Sequence, residues 1–141
     1  MASTRPNVFV DVNIFVDISE KRQGWNNSLE VIAGIRKEKY NGYISAFTVP
    51  ILYFRRIRIE PDKEARNNVW KLINGHHIIE LNESVLEQAK QDIKFKDYED
   101  AIQYYSAKTK CDVIVTRNKK DFPHKDVKVM NPEEFLNRYS L

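Results

Sequence analysis

The stretch VFVDVNIFVD, residues 8–17, decides how the chain is read. Val8, Phe9 and Val10 form an unbroken apolar run, as a strand covered on both faces requires. Asp11 then interrupts it. A carboxylate at the buried end of a strand is costly without a compensating partner, so Asp11 marks the point where the strand stops and chemistry can begin. Asp17 shares polar ground with Glu20 and Lys21 and reads as a solvated acid at a helix start.

Counting VFVDV from Val8, five short runs rich in Val, Ile, Tyr and Phe read as strands. The others are YISAF from Tyr43, HIIEL from His77, DVIVT from Asp112 and VKVM from Val127. Between them the apolar spacing is helical. Leu29, Ile32, Ala33 and Ile35 or Arg36 make one stripe, and Val69, Leu72 and Ile73 a second. Val85, Leu86, Ala89 and Ile93 make a third, and Ala101, Ile102, Tyr105 and the alkyl part of Lys108 a fourth. In MNPEEFL, Asn131 can cap, Pro132 suits the first helical position and Glu134 can reach back, which predicts a C-terminal helix. Gly42 and Gly75 fall where helices end before strands. Strands separated by long helical segments require right-handed crossovers. The predicted fold is therefore α/β: a three-layer α/β/α sandwich around a mainly parallel five-stranded sheet, with residues 1–141 as one domain.

At 141 residues, 42% hydrophobic and 30% charged, the composition is that of a folded globular chain rather than a disordered one. The net charge of +3 permits a polyanionic partner without requiring one. The single cysteine, Cys111, excludes an intrachain disulfide and a thiolate metal cage and suits a reducing cytoplasm. It reads as a small hydrophobe between a helix and a strand. MASTRPN lacks a signal-peptide core, and no apolar run approaches the roughly 20 residues that span a bilayer, so no membrane role is expected.

In sheets of this type ligands bind beyond the carboxyl ends of the strands. Strand 1 ends at DVN, offering Asp11 and Asn13. Strand 4 ends at VTRNKKD, offering Thr116, Asn118 and Asp121. The helix before strand 4 opens with DYEDA, offering Asp97 and Asp100. If strands 1 and 4 are neighbours, these acids face one cleft and repel one another. Mg2+ or Mn2+ resolves that repulsion, and the chemistry it suits is in-line attack on a phosphodiester. Structural roles compete for the same residues: Asp97 as an N-cap, Asp100 as a first-turn acid and Asp121 as a turn cap.

Together, VFVDVNIFVD, DYEDAIQYYSA and DVIVTRNKKDF, with the closing VMNPEEFL, resemble the PIN-domain family over nearly the whole chain. That family includes the toxins of VapBC-type toxin–antitoxin pairs and other metal-dependent ribonucleases. The resemblance implies a ribonuclease using Mg2+ or Mn2+, with RNA as substrate, an antitoxin as partner and a homodimeric state. By the same resemblance Asp11, Asp100 and Asp121 are catalytic, with Asp97 and Asn118 as additional metal-site residues. Asn13 and Thr116 orient their neighbours rather than bind metal. One departure stands out: the family usually carries a Glu in the helix after strand 2, where this chain has Ile51. Glu99 points about 100° around the helix from Asp100 and is not counted as a replacement for that missing Glu.

YFRRIRI supplies Arg55, Arg56 and Arg58, and TRNKKDFPHK supplies Arg117, Lys119, Lys120 and Lys125. Among these, Arg55, Arg58, Arg117, Lys119 and Lys120 are candidates for gripping an RNA backbone. A solvated charged surface is the plainer alternative. Tyr98, Tyr104 and Tyr105 could stack on bases but have the spacing of packing residues. His76 and His77 lack zinc-ligand spacing. A second function class keeps the fold and discards the chemistry: an RNA-binding or protein-interaction module disabled at Ile51. A phosphoacceptor receiver is disfavoured because strand 3 reads IIELNES without a closing Asp. A DxD phosphatase is disfavoured because Asn13 cannot act as a general acid.

Overall fold

The computed structural model describes residues 5–139, so the ends of the expected 1–141 domain, residues 1–4 and 140–141, lie outside the described residues. The elements run β1 (Asn7–Val10), α1 (Val12–Glu20), α2 (Trp25–Arg36), β2 (Asn41–Ser45), α3 (Thr48–Arg56), α4 (Asp62–Leu72) and β3 (His77–Ile79). They continue with α5 (Glu83–Gln91), α6 (Tyr98–Lys108), β4 (Val113–Val115), a 3-10 turn (Lys119–Asp121), β5 (Lys128–Met130) and α7 (Pro132–Tyr139). The sheet has five strands in the order β3-β2-β1-β4-β5, and every pairing is parallel.

The two-residue alternation of strands explains the three layers. Val8, Val10, Ile44, Val113 and Val115 point to one face, where they pack with Ile14 and Phe15 of α1, Val31, Ile32 and Ile35 of α2, Leu52 of α3, Val69 of α4 and Phe135 of α7. Phe9, Ile79 and Ile114 point to the other, against Ala89 of α5 and Ala101, Ile102, Tyr104 and Ala107 of α6. The expected α/β/α sandwich is thus the observed one. Strand order reverses at β1 and β4, whose carboxyl ends carry Asp11 and Thr116.

Several local expectations are corrected. The first strand runs Asn7–Val10 instead of VFVDV from Val8, and Asp11, at its end as expected, is the N-cap of α1. Asp17 lies within α1 and is 4% exposed, so it is neither solvated nor at a helix start. Leu29 is 38% exposed, while Val31 takes the buried place in α2. Ile93 lies beyond α5 and is 90% exposed. Gly42 sits inside β2, where an added Cβ would stand 2.4 Å from Ile35 Cγ2; it permits close helix–sheet approach. Gly75 does precede β3, in the left-handed region at φ +90°.

The predicted C-terminal cap forms in full. Asn131 N–H donates to Glu134 Oε1 at 2.9 Å, and Glu134 N–H donates to Asn131 Oδ1 at 2.8 Å. Cys111 packs beside the α5–α6 cluster as a partly buried hydrophobe. Tyr104 is fully buried and Tyr105 packs beside the same cluster, whereas Tyr98 is half exposed with its hydroxyl on Leu86 O at 2.9 Å. Among the described residues no helix is long and apolar enough to cross a membrane.

Candidate active site

Asp11 is held from both sides of the strand switch. Its N–H donates to Val115 O at 3.0 Å and its carbonyl accepts from Ile14 N–H at 3.0 Å, fixing the backbone between β4 and α1. The Thr116 hydroxyl donates to Asp11 Oδ2 at 2.7 Å, and Asn13 Nδ2 donates to the same oxygen at 3.2 Å. Both bonds fall on Oδ2. Asp11 is 1% exposed, and burial pushes its carboxyl up to about 6. The Thr116 hydroxyl and the Val12 N–H oppose that rise; the charges of Glu99 and Asp121 add to it.

Thr116 and Asn13 also organise the chain after β4. Thr116 Oγ1 accepts from Asn118 N–H at 3.1 Å and from Asn13 Nδ2 at 3.3 Å, while Asn13 Oδ1 accepts from Arg117 N–H at 3.2 Å. Asn118 is exposed and opens the 3-10 turn that ends at the partly buried Asp121.

The first turn of α6 brings the remaining acids. Asp97 is its N-cap, accepting from Glu99 N–H at 2.8 Å, and its side chain is exposed. Asp100, partly buried, is pushed up to about 7, first by burial and then by the charges of Asp11, Asp97, Asp121 and Glu99. Acids distant in sequence therefore share one electrostatic neighbourhood at the strand switch. Glu99 adds its charge to it. Its charge reaches Asp11, and Arg55 at the end of α3 partly offsets the rise that burial imposes on it.

Among the described residues no three His, Cys, Asp or Glu side chains stand close enough together to hold a metal ion. Repulsion between carboxylates reaches further than metal–oxygen bonds of about 2.0–2.1 Å, so the two observations are compatible. The donor chemistry fits a divalent cation: oxygen ligands only, with burial and mutual repulsion disfavouring the charged state. An ion of this kind binds one or two carboxylates directly and keeps several waters.

Ile51 lies in α3 and packs against the apolar cluster beneath β1, supplying no oxygen. The cations divide into two groups. Arg117 turns inward: Nε lies 3.2 Å from Asp17 Oδ2, Nη1 is 2.9 Å from Glu133 Oε1 and Nη2 donates to Gln23 O at 3.1 Å. The Asp17 contact is an ion pair by distance without hydrogen-bond geometry, since Asp17 Oδ2 has no hydrogen-bond partner among the described residues. Lys119 Nζ pairs with Glu134 Oε1 at 2.9 Å. Arg55 pairs with Glu20 on the surface, and Arg58 and Lys120 are exposed.

On the far side, Asp92 gathers the segments that carry the acids. Its Oδ2 accepts from the Tyr105 hydroxyl at 2.7 Å and lies 2.5 Å from His124 Nε2, tying α6 and the segment after Asp121 to the α5–α6 loop. Nothing in the sequence marked Asp92 or His124, because their pairing depends on two loops meeting in space.

A PIN-domain family profile matches residues 7–120. Ribonuclease VapC1 of Aquifex aeolicus (strain VF5) is 30% identical over 138 residues, covering 94% of this chain and 95% of that protein. A toxin-antitoxin complex from Klebsiella pneumoniae aligns with a TM-score of 0.65 at 19% identity, over 89% of this chain and 97% of that one. VapBC-1 from nontypeable Haemophilus influenzae aligns with a TM-score of 0.67 at 16% identity, over 90% of this chain and 98% of that one. At those identities the two structures speak to the fold.

Proposed function

This chain belongs to the PIN-domain family, and we propose that it is a metal-dependent endoribonuclease of the VapC kind, the toxin of a toxin–antitoxin pair. The reading is supported by the electrostatics of the β1–β4 switch, where the carboxyls of Asp11 and Asp100 are both pushed up by burial and by neighbouring acids, Asp121 among them. The name of the 30% identical relative supports the same activity. The reading takes residues 1–141 as one domain, working in the cytoplasm as a homodimer and controlled by a cognate antitoxin.

Asp11 and Asp100 would hold Mg2+ or Mn2+, with Asp121, Asn118 and Asp97 completing the polar rim. When bound, the cation supplies Lewis acidity toward a phosphodiester and an attacking water and offsets the developing charge. The residues of the chain do the rest. Thr116 and Asn13 fix which Asp11 oxygen is engaged within the protein. Asp100, raised to about 7, carries a proton for part of the time at neutral pH and gives it up as the site fills. Arg55, Arg58 and Lys120 lie on the surface where an RNA backbone would be gripped. Arg117 and Lys119, engaged within the chain, would shape the loop that presents Asp121.

Purified protein should cut single-stranded RNA with Mn2+ or Mg2+, stop on addition of chelator, and lose the activity on Asp11→Asn. Equal cutting by wild type and Asp11→Asn would sink the assignment. The apolar packing of Ile51 favours one competing reading, an RNA-binding module without chemistry. In that case RNA binds, nothing is cut and Mn2+ gives no heat in calorimetry.

A further inference from the structure

Gln103 breaks the pattern of the α6 face that carries it. It is 0% exposed, and neither amide atom has a hydrogen-bond partner among the described residues. A buried amide left unpaired carries an uncompensated desolvation cost, and an apolar side chain of the same shape would carry none of the kind. Such exceptions in a folded protein call for a physical explanation.

Its position supplies one. Side chains on a helix lean toward the N-terminus, over the residues three and four positions earlier. For Gln103 these are Asp100 and Glu99, both in the acidic cluster. One turn further along α6, the Ser106 hydroxyl donates to Ser45 Oγ at 3.3 Å, which sets this face of the helix against the end of β2. Thr48 opens α3 three residues after Ser45; it too is fully buried, and its hydroxyl lacks a partner among the described residues. Ile51, lacking the family's usual oxygen, lies one turn beyond Thr48 on α3.

We infer that Gln103 is a neutral oxygen donor to the cation site, its buried amide meeting the ion's hydration shell on the side where position 51 has no carboxylate. The inference rests on the metal-site reading given above. It accounts for a buried, unpaired amide kept one helical turn from Asp100, a local cost retained at a functional position.

Mn2+ titration followed by electron paramagnetic resonance, with melting measured in chelator, tests it. Gln103→Met keeps the shape and removes the amide. Its melting temperature should be equal or higher, because an unpaired group is gone, and its Mn2+ affinity should fall about 10–100-fold, the usual cost of losing an outer-sphere partner. A purely structural Gln103 would leave Mn2+ affinity unchanged, and that result overturns the inference. Gln103→Glu provides a second arm, with tighter Mn2+ binding expected and unaltered affinity counting against. Asp11→Asn separates the two levels of reasoning. Mn2+ binding that survives Asp11→Asn, or no binding by wild type, removes the metal-site reading and this inference with it. Binding lost in Asp11→Asn but indifferent to both Gln103 variants removes this inference alone.

Discussion

Asp11→Asn should make the metal-free protein more stable while disabling it, and the effect should depend on pH. Asp11 is 1% exposed, and its carboxyl is raised from 3.8 to about 6. Between those values the native chain holds a proton that the unfolded chain has released, so stability falls as pH rises through this window. By pH 8 the full difference, roughly 3 kcal/mol at 1.36 kcal/mol per pH unit, counts against the native state. Asn cannot ionise, and its Oδ1 can still accept from Thr116 and Asn13. Its new amide N–H₂ must find a partner, which returns about 1–2 kcal/mol of the gain. The net increase is about 1–2 kcal/mol, or about 3–10 °C in melting temperature for a chain of this length. Scanning calorimetry in chelator at pH 8 and at pH 5 checks it: a clear gap at pH 8 that shrinks at pH 5. With Mn2+ present the order should invert, since a ligand at a hundred times its dissociation constant adds about 2.7 kcal/mol to wild type alone. A variant less stable than wild type in chelator at pH 8, or a gap independent of pH, would refute the reasoning.

The Arg117 clamp and the Asn131 cap make contrasting tests. Arg117→Met leaves Asp17 buried without its cation, a situation that costs about 3–5 kcal/mol, and adding Asp17→Asn should recover much of that loss in urea unfolding. No recovery in the double variant would mean that Arg117 acts through Glu133 and Gln23 instead. Asn131→Ala removes one arm of the reciprocal cap and should lower stability by about 1 kcal/mol, with an unchanged denaturant slope and unchanged Mn2+ affinity.

The parts of the fold that were legible rest on local physics. Val113, Ile114 and Val115 are apolar on both faces because the sheet is covered on both, and that leaves a continuous run in the sequence. The Asn131–Glu134 cap was legible because its geometry spans only four residues. Acids at strand ends were legible because charge amid apolar residues is conspicuous. What failed depended on contacts between distant segments. Asp17 looked solvated because its neighbours Glu20 and Lys21 are polar, but its partner is Arg117, a hundred residues away across the sheet. Ile93 looked like the last member of a stripe, yet α5 ends at Gln91 and the chain turns outward. Gln103 offered no signal at all, because a polar residue on a helix is unremarkable until it is found buried.

The acidic cluster and the scaffold beneath it are tied by one short segment. Thr116 holds Asp11, Arg117 anchors to Asp17 and Glu133, and Asn118 N–H returns to Thr116, all within three consecutive residues. The loop bearing Asp121 is therefore fixed at its root from both α1 and α7, and beyond Asp121 by His124 against Asp92. Carboxylates that repel one another would drift apart on a free loop. Anchored at both ends, Asp121 is held where its charge adds to the rise of the Asp11 and Asp100 carboxyls. Arg117, although next to Thr116 in the chain, does not serve the cluster, because its guanidinium is matched to Asp17 and Glu133. The fold thus maintains a surplus of negative charge at the strand switch, which protonation of Asp11 and Asp100 relieves in part and which, on the metal-site reading, a cation from solvent would relieve further.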